Sequence, residues 1–545
     1  MTTVFDVIDT ALAEYYCEQK EYEKGLEAYR SLIKKYECAC NEKLAAISNF
    51  TKYAFEYAAN LAKDDKWGEA ISVYREIMTH PNFPVTVYKN TGLCLKAMKK
   101  PNEAIAFLDM YRERTPNNPE VYQFLGEINC SDLKDYKKAI ELYEHALSLG
   151  AETFHVYSML GHLYSTYYRD RCKDEQLDYL RKAYALEPKN KIAVKNLAYV
   201  LGKFNMEEEA DKYYAQLLKL EPSHSDLHSY GAYLVRHKRF QEGFTYLRHR
   251  FWKEDLEGKY FPDIFFGEYG WTPEKDITNK HVIAYYEQGF GDTMMFARFI
   301  PKLKEMCASV SVIVQPSLLD LFKDSKLGVE IYTPRQIDNI KFDYVIPMMD
   351  LPLVCGMTKP EDIPLAKGYL KVPKAKVEEY RKKNIKENDK VFKIGIAYEG
   401  TLSSKETQRD IELSKLYPLM QLPNVMVYSF QVDDLTKQMD NVPAEYNFRR
   451  LGPTFKNWED TACAMKCMDL MVTTDNGVMN LAGALGVKTF GLFNSITEWR
   501  WFSTTGEDIV WYKSIKPFQC VIDGAWGELI EEVVNEVKAL AEKKK

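Results

Sequence analysis

The pattern of apolar and polar positions changes near the middle of this chain. Up to about residue 250, apolar residues recur at helical spacing, as in AIELYEHALSL at 139–149 and ADKYYAQLLKLEP at 210–222. From about residue 281, short β-branched runs alternate with helical patterns instead. Strands that alternate with helices predict parallel sheets. We therefore expect a helical first half and an α/β second half.

The helical half repeats with a period near 34 residues. A small residue followed by an apolar one begins most copies, and successive copies lie 34, 35, 37, 34 and 33 residues apart. These markers are Ala70-Ile71, Ala104-Ile105, Ala139-Ile140, Gln176-Leu177, Ala210-Asp211 and Gly243-Phe244, and another copy begins at Gly25-Leu26. Small residues let paired helices approach closely, and Tyr or Leu one turn later fills the space between them. The pattern resembles the tetratricopeptide repeat, with six or so copies over about 5–250 and one insertion after the first.

The second half contains two series of predicted strands, separated by a charged helical stretch at 376–389. The first series covers 281–292, 309–317, 329–332 and 343–348, and the second covers 392–400, 424–431, 469–475 and 487–493. Two such series predict two Rossmann-like units side by side. Ligands of these folds bind beyond the carboxyl ends of the strands. The cleft between the two units is therefore the expected site.

Composition narrows the possible functions. The net charge of −6 argues against a nucleic-acid binder, and no apolar run approaches the roughly 20 residues of a membrane span. The N-terminus lacks the pattern of a secretory signal, so we expect a cytoplasmic protein. Eight of the nine histidines lie before residue 250 and the ninth is His281. A Ser-His-Asp or Cys-His centre beyond that residue is therefore excluded, a multi-histidine metal site is disfavoured, and a general base there is expected to be a carboxylate.

The first candidate loop, EQGFGD, follows the first predicted strand. Gly289 and Gly291 permit a tight turn and a close approach by substrate, and Asp292 falls at the start of a helix. Two interpretations of Asp292 stay open at this point. Its carboxylate is a catalytic group, or it only caps the helix.

The second candidate loop runs from Thr473 to Asn480 and opens into the small-residue helix LAGALG at 481–486. A strand that ends in hydroxyls, a carboxylate and a glycine before such a helix presents backbone N–H groups to an anion such as a diphosphate. The alternative is an ordinary capped helix packed closely on a sheet. A third loop, at 400–413, contains Lys405 and Arg409, which either offset phosphate charge or are simply solvated.

Residues from about 265 to 520 resemble the TPR-linked relatives of the ADP-heptose:lipopolysaccharide heptosyltransferases, which are glycosyltransferase family 9-like proteins of GT-B fold. The matching stretches are 267–303, 348–356, 394–419, 458–486 and 497–502 (TEWRWF), in the family's order. The resemblance implies an α-solenoid of repeats followed by an α/β GT-B fold whose two Rossmann-like units face a cleft. The expected domains are a TPR array at 1–250, an acceptor-side unit at 251–385 and a nucleotide-sugar-binding unit at 386–545.

The resemblance also implies a reaction, which is metal-independent transfer of a sugar from a nucleotide-sugar, with inversion and without a further cofactor. Asp292 matches the family's base, which deprotonates the acceptor hydroxyl, and Arg409 matches a cation that meets the leaving diphosphate. Asp475 and its neighbours match a loop that binds the donor, and Gln431 matches another donor contact. The expected donor-side set is therefore Arg409, Gln431, Asp475, Asn476, Gly477, Asn480, Glu399 and Lys405, and the acceptor-side loop comprises Glu287, Gln288, Gly289 and Gly291.

Two positions depart from the family pattern. Asn480 stands where the family has His, and Tyr398-Glu399-Gly400 stands where it has Trp-Ala-Gly. Asn480 can hydrogen-bond a phosphate but carries no charge, and Glu399 puts a carboxylate into the donor cleft. These departures indicate either a changed donor or lost turnover.

Three functional hypotheses follow. The first is a glycosyltransferase that modifies a protein, such as a flagellin or another surface protein, which the repeats recruit through their concave face. The second is a scaffold in which the repeats bind partners and the GT-B unit no longer turns over. The third is an enzyme like O-GlcNAc transferase, which also joins TPRs to a GT-B fold.

Overall fold

The computed structural model describes residues 4–36, 40–252, 262–365, 367–400, 409–432, 437–501 and 510–544. Its contacts divide the chain into two compact units, 1–193 and 194–545. The division falls inside one helix of the repeats, α11 (Lys191–Lys203). The boundaries expected at 250/251 and 385/386 stay predictions.

Fourteen helices, in consecutive pairs, are described between Val4 and Leu247, so the expected helical first half is confirmed as a TPR-like solenoid. They are α1 (Val4–Glu18), α2 (Tyr22–Lys35), α3 (Asn41–Lys63), α4 (Trp67–Met78), α5 (Thr86–Ala97), α6 (Pro101–Arg114), α7 (Pro119–Ser131), α8 (Tyr136–Ser148), α9 (Phe154–Tyr167), α10 (Lys173–Leu186), α11, α12 (Glu207–Leu217), α13 (His224–Arg236) and α14 (Phe240–Leu247). Every small marker residue of the sequence lies near the start of the second helix of a pair.

The repeat spacing has a direct packing basis. The marker residue is buried in each second helix, and the residue four positions later is a buried Tyr or Leu, as with Ala139 and Tyr143. The Tyr143 ring packs against Gly126 of α7, where a Cβ would lie 2.8 Å from the ring. Small and aromatic residues thus interdigitate between the two helices of a pair. The longer first spacing is explained in part by α3, which has 23 residues where its neighbours α2 and α4 have 14 and 12.

The second half contains two all-parallel sheets. The four-stranded sheet has the order β3-β2-β1-β4, from β1 (His281–Tyr285), β2 (Ser309–Ile313), β3 (Glu330–Tyr332) and β4 (Tyr344–Pro347). The six-stranded sheet has the order β10-β9-β8-β5-β6-β7, from β5 (Phe392–Ala397), β6 (Val425–Ser429), β7 (Phe448–Arg450), β8 (Leu470–Thr474), β9 (Thr489–Phe493) and β10 (Ile515–Gln519). Eight of these strands lie within the predicted runs. Sequence analysis missed β7, which has two arginines in three residues, and β10, which contains a proline.

Nine helices accompany these sheets among the described residues. They are α15 (Phe290–Phe296), α16 (Ile300–Met306), α17 (Leu319–Ser325), α18 (Leu351–Val354), α19 (Lys374–Asn384), α20 (Tyr417–Met420), α21 (Trp458–Met465), α22 (Gly477–Leu485) and α23 (Trp526–Glu542). One apolar core includes residues of α14, of the four-stranded sheet and of helices that pack on the six-stranded sheet. None of the helices described anywhere in the chain is long and apolar enough to cross a membrane.

Candidate functional site

Both sheets place charged residues where their strand order reverses. In the four-stranded sheet the reversal lies between β1 and β4, which are followed by Glu287 and Asp350. In the six-stranded sheet it lies between β5 and β8, which are followed by Glu399 and Asp475. The carboxyl ends of strands at such a reversal form a crevice that binds ligands in open parallel sheets. The structure therefore brings four carboxylates to the two positions where this architecture binds ligands.

Glu287 belongs to a buried network of charges. Arg250 donates from Nε and Nη2 to the two carboxylate oxygens of Glu287 at 2.8 and 2.7 Å, and from Nη2 to Asp350 Oδ1 at 2.7 Å. Arg248 bonds the other Asp350 oxygen and the carbonyl of Trp271. Burial would lower the pKa of Arg250, but Asp350 and Glu287 raise it above its ordinary value. Glu287 is thus fully engaged in holding its own loop and is not exposed to a substrate.

Asp292 caps the helix that follows its loop. Its Oδ2 accepts a hydrogen bond from the Gly289 N–H at 3.2 Å, so the carboxylate does cap α15. Its Oδ1 accepts from Arg500 Nε at 2.7 Å, and about 15% of the side chain is exposed. The capping interpretation is therefore confirmed, and the catalytic interpretation stays a prediction.

The rest of the EQGFGD loop shows why its glycines are present. Gly291 approaches α22 so closely that a Cβ there would lie 2.8 Å from Asn480 Nδ2. Gln288 adopts a left-handed backbone conformation, with φ of 58°, and its side-chain oxygen accepts from Arg500 Nη2 at 3.0 Å. Gly289 provides the N-terminal N–H that Asp292 accepts. Gln288, Gly289 and Gly291 therefore shape the turn, and the side chain of Gln288 also contacts Arg500.

Arg409 and Asp475 meet across the reversal of the six-stranded sheet. Arg409 Nη1 lies 3.3 Å from Asp475 Oδ2, and the two side chains are 28% and 10% exposed. Burial raises the pKa of the Asp475 carboxyl, while Arg409 lowers it and Glu498 raises it further. The predicted donor-side cation and carboxylate are thus brought together, and each partly neutralises the other.

The start of α22 requires a correction. The expectation of free backbone N–H groups is wrong for two of them, since Asn476 Oδ1 accepts from the N–H groups of Val478 and Met479 at 2.9 and 3.2 Å. Asn476 acts as the helix cap because its short side chain reaches these donors from an extended backbone. Gly477, the next residue, packs against Trp458, whose ring would lie 3.0 Å from a Cβ. The ordinary capped helix is therefore what the structure shows here.

Asn480, Glu399 and Gln431 are all buried. Asn480 accepts from the Tyr512 hydroxyl at 3.0 Å and donates to the Asn476 carbonyl at 3.2 Å, so its amide is used inside the fold. Gln431 Oε1 accepts from the Glu399 backbone N–H at 3.4 Å, which links the ends of β5 and β6. The side-chain amides of Asn480 and Gln431 therefore hold parts of the fold together. Lys405 lies outside the described residues.

Arg500 is the residue that sequence analysis missed. It follows β9 and joins the two sheets, because it pairs with Asp292 after β1 at 2.7 Å. Its Nη1 also lies 3.6 Å from Glu498, and its guanidinium lies 4.5 Å from the Trp499 ring centre. The signal was an arginine between two tryptophans in TEWRWF, a setting that fixes a guanidinium plane. No group of three or more His, Cys, Asp or Glu suited to a metal ion is found in the part of the chain that the structure describes.

Comparison with known proteins supports the repeats. The tetratricopeptide repeat family matches residues 119–151, which contain α7 and α8, and residues 196–224, which contain most of α11 and all of α12. These repeats indicate a role in binding other proteins. Protein FlbA of Caulobacter vibrioides is 24% identical over 289 residues, which are 49% of this chain and 48% of FlbA. The chain thus spans about half the length of the curated relative it matches.

Three solved structures are similar to part of this chain. Residues 41 to the end of MamA from Desulfovibrio magneticus RS-1 are 18% identical, covering 31% of this chain and 94% of that one, with a TM-score of 0.29. YrrB, described as a TPR protein with an unusual peptide-binding site, is 19% identical and covers 33% and 92%, with a TM-score of 0.29. A C-terminal part of a TPR protein from Cytophaga hutchinsonii is 17% identical and covers 36% and 78%, with a TM-score of 0.30. Scores this low transfer no detail to this chain.

Proposed function

We propose that this protein is a metal-independent, inverting glycosyltransferase of GT-B fold. It moves a sugar from a nucleotide-sugar to a hydroxyl of a protein that the repeats recruit. One observation carries the proposal, which is that Asp292 after β1 pairs with Arg500 after β9 at 2.7 Å. Loops beyond the carboxyl ends of both sheets thereby converge on one place, as a reaction between a donor and an acceptor requires.

The residues have separate roles in this reaction. Asp292 Oδ1 takes the proton of the acceptor hydroxyl while the acceptor oxygen forms a bond to the anomeric carbon. The bond from that carbon to the diphosphate breaks, and its electron pair leaves with the diphosphate. Arg409 and Arg500 stabilise the charge that develops on the leaving group, because guanidinium groups bind phosphate oxygens in pairs.

Two features of the described structure support placing the donor at the six-stranded sheet. Its order, β7-β6-β5-β8-β9-β10 read from the other edge, puts β5 and β8 at the centre, and the Arg409–Asp475 pair lies beyond them. The first sheet has its reversal closed by the buried network of Arg250, Glu287 and Asp350. The six-stranded sheet therefore has the more accessible charges for a diphosphate.

The experiment is a donor-turnover screen of the full chain. A panel of nucleotide-sugars is incubated with the protein. Released nucleoside diphosphate and the shift in melting temperature are measured. We expect slow hydrolysis of at least one donor, and a loss of about 10²-fold or more in Asp292→Asn, which removes the base. Asp440→Asn is the matched control, because Asp440 forms an exposed ion pair with Arg450 and lies outside the loops that follow β1, β5, β8 and β9.

The screen has clear contrary outcomes. Turnover of a donor at the same rate by native protein and Asp292→Asn contradicts the assignment of the base. The absence of both hydrolysis and thermal stabilisation with every nucleotide-sugar contradicts the enzyme.

That second outcome would favour a non-catalytic scaffold, which one observation supports. The described site contains the carboxylates of Asp292, Asp475 and Glu498 against the guanidinium groups of Arg409 and Arg500. This balance leaves an excess of negative charge where a diphosphate must bind. A protein-binding scaffold needs no cation there, and the repeats alone would carry its function.

A further inference from the structure

Arg500 is held by carboxyl and amide oxygens on several sides. Its Nε donates to Asp292 Oδ1 at 2.7 Å and its Nη2 donates to Gln288 Oε1 at 3.0 Å. Its Nη1 lies 3.6 Å from Glu498 Oε2, and the Trp499 ring centre lies 4.5 Å from the guanidinium. The side chain is 19% exposed. These contacts therefore fix the orientation of the guanidinium, while part of the side chain stays exposed.

Among the residues that the structure describes, Arg500 has no bidentate partner for its guanidinium. Its Nε and Nη2 donate to two different side chains, Asp292 and Gln288, and not to both oxygens of one carboxylate. Burial would lower the pKa of Arg500, but Asp292, Glu498 and Asp475 raise it, so the guanidinium stays charged. A diphosphate can accept from two N–H groups of one guanidinium at once, so it can replace the Asp292 carboxylate.

We propose that Arg500 is the residue that couples donor binding to the release of the base. In the free protein it holds Asp292, and when the diphosphate of the donor binds, the guanidinium bonds the phosphate oxygens and leaves Asp292 Oδ1 to the acceptor hydroxyl. This inference rests on the proposed function and adds to it an order of substrate binding. The donor binds first, because the base is occupied until the diphosphate has taken the arginine.

Only a small movement is needed for this exchange. Asp292 keeps Oδ2 on the Gly289 N–H, so the carboxylate stays in place as the cap of α15 while Oδ1 is released. The Trp499 ring supports the guanidinium by a cation–π contact that does not depend on which anion is bound. The exchange therefore leaves the loop geometry intact.

The first test is calorimetric titration of the full chain with inorganic pyrophosphate and with a panel of nucleoside diphosphates. We expect Arg500→Gln to weaken binding at least about tenfold. Arg500→Lys is expected to bind with intermediate affinity, since lysine keeps the charge without the planar fork. Arg450→Gln, which removes an arginine from an exposed pair with Asp440, is the matched control and is expected to bind like the native protein. Melting curves establish that each variant is folded.

The second test separates exchange from simple attraction. If Asp292 competes with the anion for Arg500, then Asp292→Asn binds pyrophosphate about three- to tenfold more tightly than native protein, although it removes the base. In the Arg500→Gln background the same substitution is expected to have no such effect. A residue that only supports the loop would give weaker binding in Asp292→Asn.

The outcomes distinguish the two proposals. If native protein and Arg500→Gln bind a nucleoside diphosphate with equal affinity, the proposed role of Arg500 is wrong. The proposed glycosyltransferase activity is not contradicted by that result. A different result is that pyrophosphate binds and depends on Arg500, while no nucleotide binds and no donor is hydrolysed. This result supports the exchange and contradicts the proposed glycosyltransferase. Unchanged or weaker binding in Asp292→Asn overturns the exchange, as does failure of the native protein to bind either probe.

Discussion

The repeats and the α/β half handle charge in opposite ways. In the repeats, most of the described ion pairs lie at the surface, as between Arg30 and Glu76, whose side chains are 38% and 32% exposed. Where the repeats end, Arg250 forms a bidentate pair with Glu287 of the α/β half, and the two side chains are 2% and 1% exposed. Exposed pairs contribute little to stability, whereas buried charges must be fully compensated to be tolerated at all.

This difference indicates that charges are buried where a loop must be held in a fixed position, even at a cost in stability. The helix pairs of the array are held by small and aromatic residues, so their charges are free to serve solubility and partner binding. The buried network includes Glu287 of the loop that carries Asp292, and it fixes that loop. Burying these charges costs free energy that apolar residues in their place would not cost. Removing one partner of an ion pair should therefore lower the free energy of unfolding by different amounts in the two regions.

The largest expected effect comes from Arg250→Met. The substitution leaves Glu287 and Asp350 buried with part of their compensation gone, so we expect a loss of about 3–5 kcal/mol in the free energy of unfolding of this region. Urea unfolding followed by tryptophan fluorescence measures it, because seven of the eight tryptophans lie beyond residue 250. Arg30→Met in the repeats, followed by far-UV circular dichroism, should cost no more than about 1 kcal/mol. Equal losses in the two variants would remove the distinction between the regions.

A smaller effect of opposite sign is expected from Gln176→Met. Gln176 occupies a marker position that is Ala or Gly in most copies, is fully buried, and has no hydrogen-bond partner for either amide atom among the described residues. A methionine of similar shape removes an unsatisfied amide, so the array should gain about 1 kcal/mol. Thermal unfolding followed by circular dichroism measures the gain. Gln241→Met, at an exposed position of α14, is the control, and a loss of stability in Gln176→Met would show that the amide is satisfied.

The smallest effect is a dependence of the array on pH. Burial lowers the pKa of His80, although Glu76 acts in the opposite direction, and the imidazole packs edge-on against Phe50. Because its folded pKa lies below the unfolded value of about 6.5, the unfolded chain binds the proton more readily. Stability is therefore full above that value and falls as the pH drops through it towards the folded pKa. The protection factors of α3 and α4 in hydrogen exchange, which correct for the intrinsic dependence of exchange on pH, should fall between about pH 7 and about pH 5, and less so in His80→Gln. An identical fall in both proteins would show that another group causes it.

The sequence predicted the array well because its determinants are local. A small residue and a Tyr or Leu four positions later, as in Ala139 and Tyr143, define each second helix, and the neighbouring copy repeats the pattern. Strand positions were also predicted, apart from β7 and β10. The partners within the site were not, because they join distant segments, such as Arg500 to Asp292 and Arg250 to Glu287.

The start of α22 shows a second limit of sequence reasoning. The same residues, Asp475-Asn476-Gly477, are compatible with an anion site and with a capped helix. Only the geometry shows that Asn476 Oδ1 accepts the N–H groups of Val478 and Met479. The choice depends on one side-chain rotation, which no spacing of residue types encodes.

Hydrogen exchange of the full chain, with and without a nucleoside diphosphate that binds it, tests the central claim most directly. That claim is that the ligand binds where the carboxyl ends of both sheets meet. We expect protection of 287–293, 473–480 and 494–500, which contain Asp292, Asp475 and Arg500, and no change in residues 4–193. Protection confined to the repeats, or to the opposite ends of the strands, would contradict the account.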